Sequence, residues 1–79
     1  MLDKRLIESL SRAFNIDPSA VTLEMSQLNT PAWDSLGHLK LVFEIEDVFG
    51  VRLSTEEIPR VTSVARLQEV LARHQALSA

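Results

Sequence analysis

The most suggestive chemistry in this chain lies in one short stretch, PAWDSLGHL, where two adjacent helix-capping residues, Asp34 and Ser35, precede an apolar run. Either side chain could accept a hydrogen bond from the free amides of a first helical turn, although a helix needs only one N-cap residue. In one interpretation the pair is redundant and Ser35 is a plain cap. In the other, Asp34 caps the helix and the Ser35 hydroxyl projects outward beside positive amide groups. The second arrangement suits a serine that is modified with a phosphate group.

The other reactive residues form no pattern typical of an enzyme. Cysteine is absent, so there is no catalytic thiol or thiolate metal ligand, and any sulfur chemistry requires a borrowed sulfur. His38 and His74 are far apart and lack the spacing of a metal site, and His38 is expected to be packed or half-buried. We therefore expect no catalytic residue, no metal site and no enzymatic activity.

Apolar periodicity indicates an all-α protein with three main helices and one short helix. The first helix runs from Asp3 to about Phe14, and a long loop without sustained periodicity extends to Ala32. The second helix runs from Ser35 to Phe49 and ends at a glycine suited to the left-handed conformation. The predicted architecture is a four-helix bundle with a long loop between helices one and two.

The second half of the chain holds the signals for the two remaining helices. The string STEE at residues 54–57 matches a capping box and predicts a short third helix of one or two turns, with a later start near Pro59 as the alternative. Thr62 or Ser63 is expected to cap the last helix. Four apolar residues of the long loop are expected to anchor it in the core: Val21, Leu23, Met25 and Leu28.

The second helix has apolar residues on two sides when its positions are placed at about 100° per residue. The broad core arc is expected to hold Val42, Ile45 and Phe49, flanked by His38, Leu39, Leu41 and Val48. The opposite side is expected to carry Leu36, Lys40, Phe43 and Asp47. Leu36 and Phe43 then form an exposed apolar stripe that suits a docking partner, although single exposed hydrophobic residues are common.

Composition and charge narrow the class of protein. The 79 residues, 46% hydrophobic and 24% charged, fit a single domain over residues 1–79. The net charge of −3, with scattered basic residues, argues against a nucleic-acid partner. No apolar stretch approaches the roughly 18 residues of a membrane span. We expect a cytoplasmic monomer without membrane association.

The start of the second helix resembles the phosphopantetheine attachment signature of acyl carrier proteins. The resemblance rests on Asp34-Ser35-Leu36, followed along the helix by Leu39, Leu41-Val42, Ile45-Glu46 and Phe49-Gly50. The order of an apolar first helix, a long loop, a serine-led second helix, a short third helix and a closing helix extends the resemblance over nearly the whole chain.

Several properties follow from this resemblance. It implies that Ser35 carries 4'-phosphopantetheine through a phosphodiester, and that a separate phosphopantetheinyl transferase supplies this arm from coenzyme A. It also implies that the terminal thiol of the arm holds acyl groups as thioesters. Asp34 matches the acidic residue before the serine. The implied contacts with partner enzymes are Leu36, Lys40, Phe43, Glu44 and Asp47. The implied partners are the transferase and acyl-loading, ligase or synthase enzymes.

Departures from the family pattern point away from a general fatty-acid carrier. Gly37 and Lys40 stand where such carriers often place acidic residues, and the net charge of −3 is mild for the family. Since rim charges tune partner choice, we expect a dedicated stand-alone carrier of a fatty-acid-like, polyketide-like or other specialised biosynthetic pathway. An aminoacyl or peptidyl carrier, and a helical interaction module in which Ser35 is only a cap, stay open as alternatives.

Overall fold

The computed structural model of the chain describes residues 2–74, and its regular structure is helical. The α-helices are α1 (Lys4–Phe14), α2 (Ser35–Phe49) and α3 (Val64–Arg73), and short 3-10 helices occur at Pro18–Ala20 and Ile58–Arg60. Within residues 2–74 there is no β-strand, only an isolated antiparallel bridge between Ser26 and Ser63. The all-α class predicted from the periodicity is confirmed.

Helices α1 and α2 run antiparallel, and each end of the pair is marked by a specific contact. The Arg5 guanidinium lies 4.6 Å from the ring centroid of Phe49, which joins the start of α1 to the end of α2. At the other end, the rings of Phe14 and Trp33 lie 5.1 Å apart between centroids. The end of α1 is therefore packed against the residues that lead into α2.

The predicted short third helix is a 3-10 helix rather than an α-helix, and it lies at the alternative, later position near Pro59. The capping box forms, because Ser54 N donates to Glu57 Oε1 over 3.0 Å and Glu57 N donates to Ser54 Oγ over 3.1 Å. The residues after it form only turns and the 3-10 helix Ile58–Arg60. Pro59 has no amide hydrogen, so the next bond of an α-helical ladder cannot form. Three α-helices and one short 3-10 helix thus occupy the four predicted places.

The long loop is anchored by fewer residues than the sequence indicated. Val21 and Met25 are buried as expected, whereas Leu23 is 50% exposed and Leu28 is 98% exposed, so the expectation for these two leucines is wrong. The loop backbone pairs with the segment before α3, since Val64 N donates to the Met25 carbonyl over 3.0 Å and Gln27 N donates to a carbonyl at residue 62. This pairing directs Met25 inward and leaves Leu28 on the outer side of a turn.

The core lies between the three α-helices. Its completely buried members from the helices are Leu6 and Leu10 on α1, Leu41 and Ile45 on α2, and Val64, Leu67 and Leu71 on α3. Ser63 caps α3, because its hydroxyl accepts a 3.1 Å hydrogen bond from Arg66 N, which decides between the two predicted caps. No helix among residues 2–74 combines the length and apolar content needed to cross a membrane.

Candidate functional site at the start of helix α2

Asp34 is the N-cap residue of α2. Its backbone is extended, its Oδ1 atom accepts a 2.8 Å hydrogen bond from Gly37 N, and its carbonyl accepts the first helical bond from His38 N. This is the geometry of an aspartate that satisfies one of the free amides of a first turn. The cap is complete without any help from Ser35.

Ser35 is the first residue of α2, and its side chain is exposed. The hydroxyl makes no hydrogen bond to any other residue in the range 2–74, so it is a solvent-facing primary alcohol. The amides of Ser35 and Leu36 belong to the first helical turn, where the helix dipole favours negative charge. The site can therefore accept a covalently attached phosphate without losing a hydrogen bond that the fold uses.

The segment before the serine is fixed by Trp33. The indole is only 2% exposed, stacks in a tilted geometry on Phe14, and Trp33 N donates a 2.9 Å hydrogen bond to the Thr30 carbonyl. Its Nε1–H donates over 3.0 Å to Nδ1 of His38. Trp33 is therefore a core residue that anchors the loop one residue before Asp34.

His38 joins this anchor to a third part of the chain. The ring is half-buried, as expected, and its Nε2 atom lies 2.7 Å from the carbonyl oxygen of Ile58 in the 3-10 helix. The first turn of α2 is thus linked through one imidazole to both the preceding loop and the Ile58–Arg60 segment.

Gly37 is buried because the loop backbone passes directly over it. A Cβ atom added at this position would lie 2.0 Å from the Ala32 carbonyl oxygen and 3.3 Å from Asp34 Oδ1. Gly37 therefore cannot present a side chain to a partner, and the sequence-based interpretation of its missing acidity as a recognition feature is wrong. The glycine is required by the close approach of the loop.

The outer face of α2, defined here as Leu36, Leu39, Lys40, Phe43 and Asp47, is exposed. Leu36 is 61% exposed and Phe43 is 68% exposed, which agrees with the expected apolar stripe. Leu39 is 51% exposed, so its assignment to the core arc is wrong. The reason is geometric. At about 100° per residue, Leu39 lies about 120° around the helix axis from the fully buried Ile45 but only about 60° from Leu36.

The acidic residues of α2 occupy different environments. Asp47 is exposed on the outer face, Glu44 is half-buried at its edge, and Glu46 accepts a 2.9 Å hydrogen bond from Leu53 N beyond the end of the helix. Lys40 is exposed and forms no ion pair within the described part of the chain. The outer face therefore carries charges of both signs around three apolar groups.

Other titratable groups near the site serve the fold. The hydrogen bond from Ser54 N and, as a smaller contribution, the contact of His74 Nε2 with the carboxylate lower the pKa of Glu57. Through these contacts Glu57 connects the segment after α2 to the end of α3. No group of three or more potential metal ligands occurs among residues 2–74.

Sequence reasoning missed the link from Trp33 through His38 to Ile58. The five-residue separation of the two side chains is not a helical contact spacing, and the Ile58 carbonyl lies 20 residues away, so no local pattern indicated the contacts. An aromatic residue immediately before a capping pair, with a histidine in the following turn, is the only signal that could have suggested them.

Comparison with known proteins agrees with this arrangement. No protein-family model matches the chain. The acyl carrier protein of Rubrobacter xylanophilus is 29% identical over 72 residues, which cover 91% of this chain and 89% of that protein. The acyl carrier protein of Lactobacillus johnsonii is 25% identical over 71 residues, which cover 90% of this chain and 89% of that protein. The chain is thus similar to acyl carrier proteins over nine-tenths of its length, and its all-helical fold with a serine-led α2 agrees with that similarity.

Proposed function

We propose that the protein carries acyl intermediates as thioesters on a 4'-phosphopantetheine arm attached to Ser35. A carrier role in general, without enzymatic activity of its own, follows from its similarity to acyl carrier proteins. The observation that supports Ser35 as the attachment residue is the division of roles at the start of α2, where Asp34 provides the cap and leaves the Ser35 hydroxyl exposed and unbonded.

The residues around Ser35 fit a phosphodiester. The hydroxyl provides the oxygen to be esterified, the first-turn amides favour the negative charge, and Asp34 keeps the turn closed through Gly37 N. When bound, the arm supplies the thiol that the cysteine-free chain lacks, and this thiol holds the acyl group. The protein's own contribution is to present Ser35 at a fixed point on its surface.

The outer face of α2 is the proposed docking surface for partner enzymes. Leu36 directly follows the attachment residue, and Phe43 lies two helical turns further along the same side. Three exposed apolar side chains with Lys40 and Asp47 beside them suit a contact that forms and releases quickly, as a carrier visiting successive enzymes requires. Glu44 lies at the edge of this surface and is proposed as a peripheral contact.

The charge of this surface supports a dedicated carrier. Lys40 lies one turn after Leu36 and one turn before Phe43, so a partner that docks here must accommodate a cation between its two apolar contacts. We propose as partners a phosphopantetheinyl transferase and acyl-loading, ligase or synthase enzymes of a specialised pathway.

The test is intact mass spectrometry after incubation with coenzyme A and a promiscuous phosphopantetheinyl transferase. The unmodified sequence should gain the mass of one phosphopantetheine group, Ser35→Ala should gain none, and Ser19→Ala, a matched change at another exposed serine, should behave like the parent protein. If the parent protein gains no mass, or Ser35→Ala gains it equally, the proposal is wrong. A partner that binds the outer face of α2 without any such mass gain would then support the interaction-module alternative.

A further inference from the structure

The imidazole of His38 makes two hydrogen bonds, one at each ring nitrogen. Nδ1 lies 3.0 Å from Nε1 of Trp33, and Nε2 lies 2.7 Å from the carbonyl oxygen of Ile58. An indole N–H can only donate and a carbonyl oxygen can only accept. Nδ1 must therefore be the acceptor and Nε2 must carry the hydrogen, so the two partners select one neutral tautomer.

The other two states of the ring do not satisfy both partners. In the neutral Nδ1–H tautomer, two donors would face each other at Trp33 and two acceptors would face each other at Ile58. In the imidazolium, the bond to Ile58 would be kept, but the bond to Trp33 would be replaced by two opposed N–H groups. The hydrogen bonds of the fold are complete only with the Nε2–H form.

Trp33 and His38 lie on either side of the proposed attachment residue, Ser35, in the sequence. Trp33, two residues before Ser35, is fixed by burial and by its bond to His38, which lies three residues after Ser35. Between them, Gly37 lies against the Ala32 carbonyl and donates its amide to Asp34. Since the Ser35 side chain has no partner among residues 2–74, its location depends on these neighbours.

We propose that His38, as its neutral Nε2–H tautomer, is a positioning residue for Ser35. Its two hydrogen bonds link the loop before α2 and the Ile58–Arg60 segment to the first turn of α2. These links hold Ser35 where a phosphopantetheinyl transferase must engage it. This inference rests on the proposed function of Ser35. Without the tie, the segment on either side of Ser35 samples additional conformations, and the enzyme binds only the fraction that is correctly arranged. Such a loss of preorganisation raises the apparent KM, while kcat for the bound complex stays close to that of the parent protein.

Two conservative variants separate the two bonds. His38→Asn places an acceptor oxygen near the position of Nδ1 and loses the reach to Ile58, whereas His38→Gln places a donor near the position of Nε2 and loses the acceptor for Trp33. Trp33→Phe keeps an aromatic ring against Phe14 and removes the indole donor together with part of the buried ring volume. Each variant should raise the KM of the transferase for the carrier by about threefold to tenfold, the upper value being the change in an equilibrium that corresponds to one net hydrogen bond.

The control is Val70→Ala, which truncates a buried α3 residue that takes part in neither bond. It should lower stability as much as or more than the His38 variants, with the KM of the transferase unchanged, so that a general loss of stability is distinguished from a loss of positioning. A KM that rises equally in Val70→Ala would overturn the proposal, and so would His38 variants whose KM stays within about twofold of the parent value.

The tautomer is tested independently of any enzyme by ¹⁵N NMR of the unmodified protein at about pH 8, where an ordinary histidine is neutral. The expected spectrum shows a protonated Nε2 and an unprotonated Nδ1 for His38, and a Trp33 indole proton protected from solvent exchange that loses protection in His38→Gln. Rapid exchange between the two neutral tautomers would overturn the inference. If the tautomer is as expected but Ser35 is never modified, the proposed function is wrong. If Ser35 is modified normally and the KM is unchanged in the variants, only the positioning role of His38 is wrong.

Discussion

Gly37→Ala should destabilise this protein, although glycine to alanine in a helix usually has the opposite effect. Alanine is favoured over glycine by about 0.8–1.0 kcal/mol in a helix interior, and Gly37 lies in the first turn of the 15-residue α2. In this structure the added Cβ would lie 2.0 Å from the Ala32 carbonyl oxygen, whereas real Cβ contacts below 3.0 Å are essentially never observed. The Ala32 carbonyl must therefore move by at least about 1 Å, the difference between those two distances.

The size of the effect follows from what that movement disturbs. Ala32 precedes the buried Trp33, and Gly37 N is the donor in the cap bond to Asp34, so both the indole packing and the cap are affected. Overpacking of this kind costs about 1–3 kcal/mol, and loss of an N-cap costs about 0.5–2 kcal/mol. After subtraction of the helix-propensity gain, we expect the free energy of unfolding to fall by about 0.5–4 kcal/mol. For a domain of this size, this lowers Tm by at least about 2 °C.

Urea unfolding monitored through Trp33, the single tryptophan, measures this change directly. Lys40→Ala, an exposed substitution one turn along the same helix, is the matched control and should leave the free energy of unfolding within about 0.5 kcal/mol of the parent value. If Gly37→Ala is as stable as the parent protein or more stable, helix propensity dominates and the close approach of the Ala32 carbonyl does not constrain this position.

Two further predictions concern the orientation of α2 and the segment that follows it. Phe43→Ala should cost less than about 1 kcal/mol of stability because the ring is 68% exposed. Ile45→Ala should cost about 2–5 kcal/mol because that side chain is completely buried. Urea unfolding that gave the reverse order would show that the two faces of α2 are exchanged. Glu57 has a pKa lowered chiefly by the hydrogen bond from Ser54 N, so its contribution to stability is present above the ordinary glutamate value of about 4.3 and is lost as the pH falls through the lower folded-state pKa. Unfolding free energies measured from about pH 7 down to about pH 3 should therefore differ between Glu57→Gln and the parent protein at neutral pH and converge in acid, and a difference independent of pH would contradict this linkage.

Much of the helical framework was predictable because it depends on local patterns. The apolar spacing of α1, the Gly50 that follows α2, and a serine cap before α3 are properties of short segments, and the structure agrees with them. The short third helix, which forms as a 3-10 helix near Pro59, marks the limit of such reasoning. The capping box at Ser54 and Glu57 formed as its sequence indicates, yet Pro59 removed the amide needed to continue the helix.

The placement of individual apolar residues was harder to predict, because an apolar side chain can reach the core only if the backbone directs it there. Leu23 and Leu28 are apolar like Met25, and the pairing of the loop backbone with the segment before α3 distinguishes the residue that is buried. Leu39 lies between the two arcs of α2, and the direction of the core from this helix was set by α1 and α3 rather than by α2 itself.

The sequence by itself determined the chemistry offered at the start of α2: a carboxylate and an adjacent hydroxyl, either of which could cap the helix, and apolar residues recurring along one helix. Only the tertiary structure decided what surrounds that chemistry. Trp33 became a buried anchor, Gly37 became a point of close backbone approach, and His38 became a bridge to Ile58. The physical reason is that capping and periodicity depend on neighbours within one turn, whereas these three roles depend on loop and carbonyl groups that only folding brings to the start of α2.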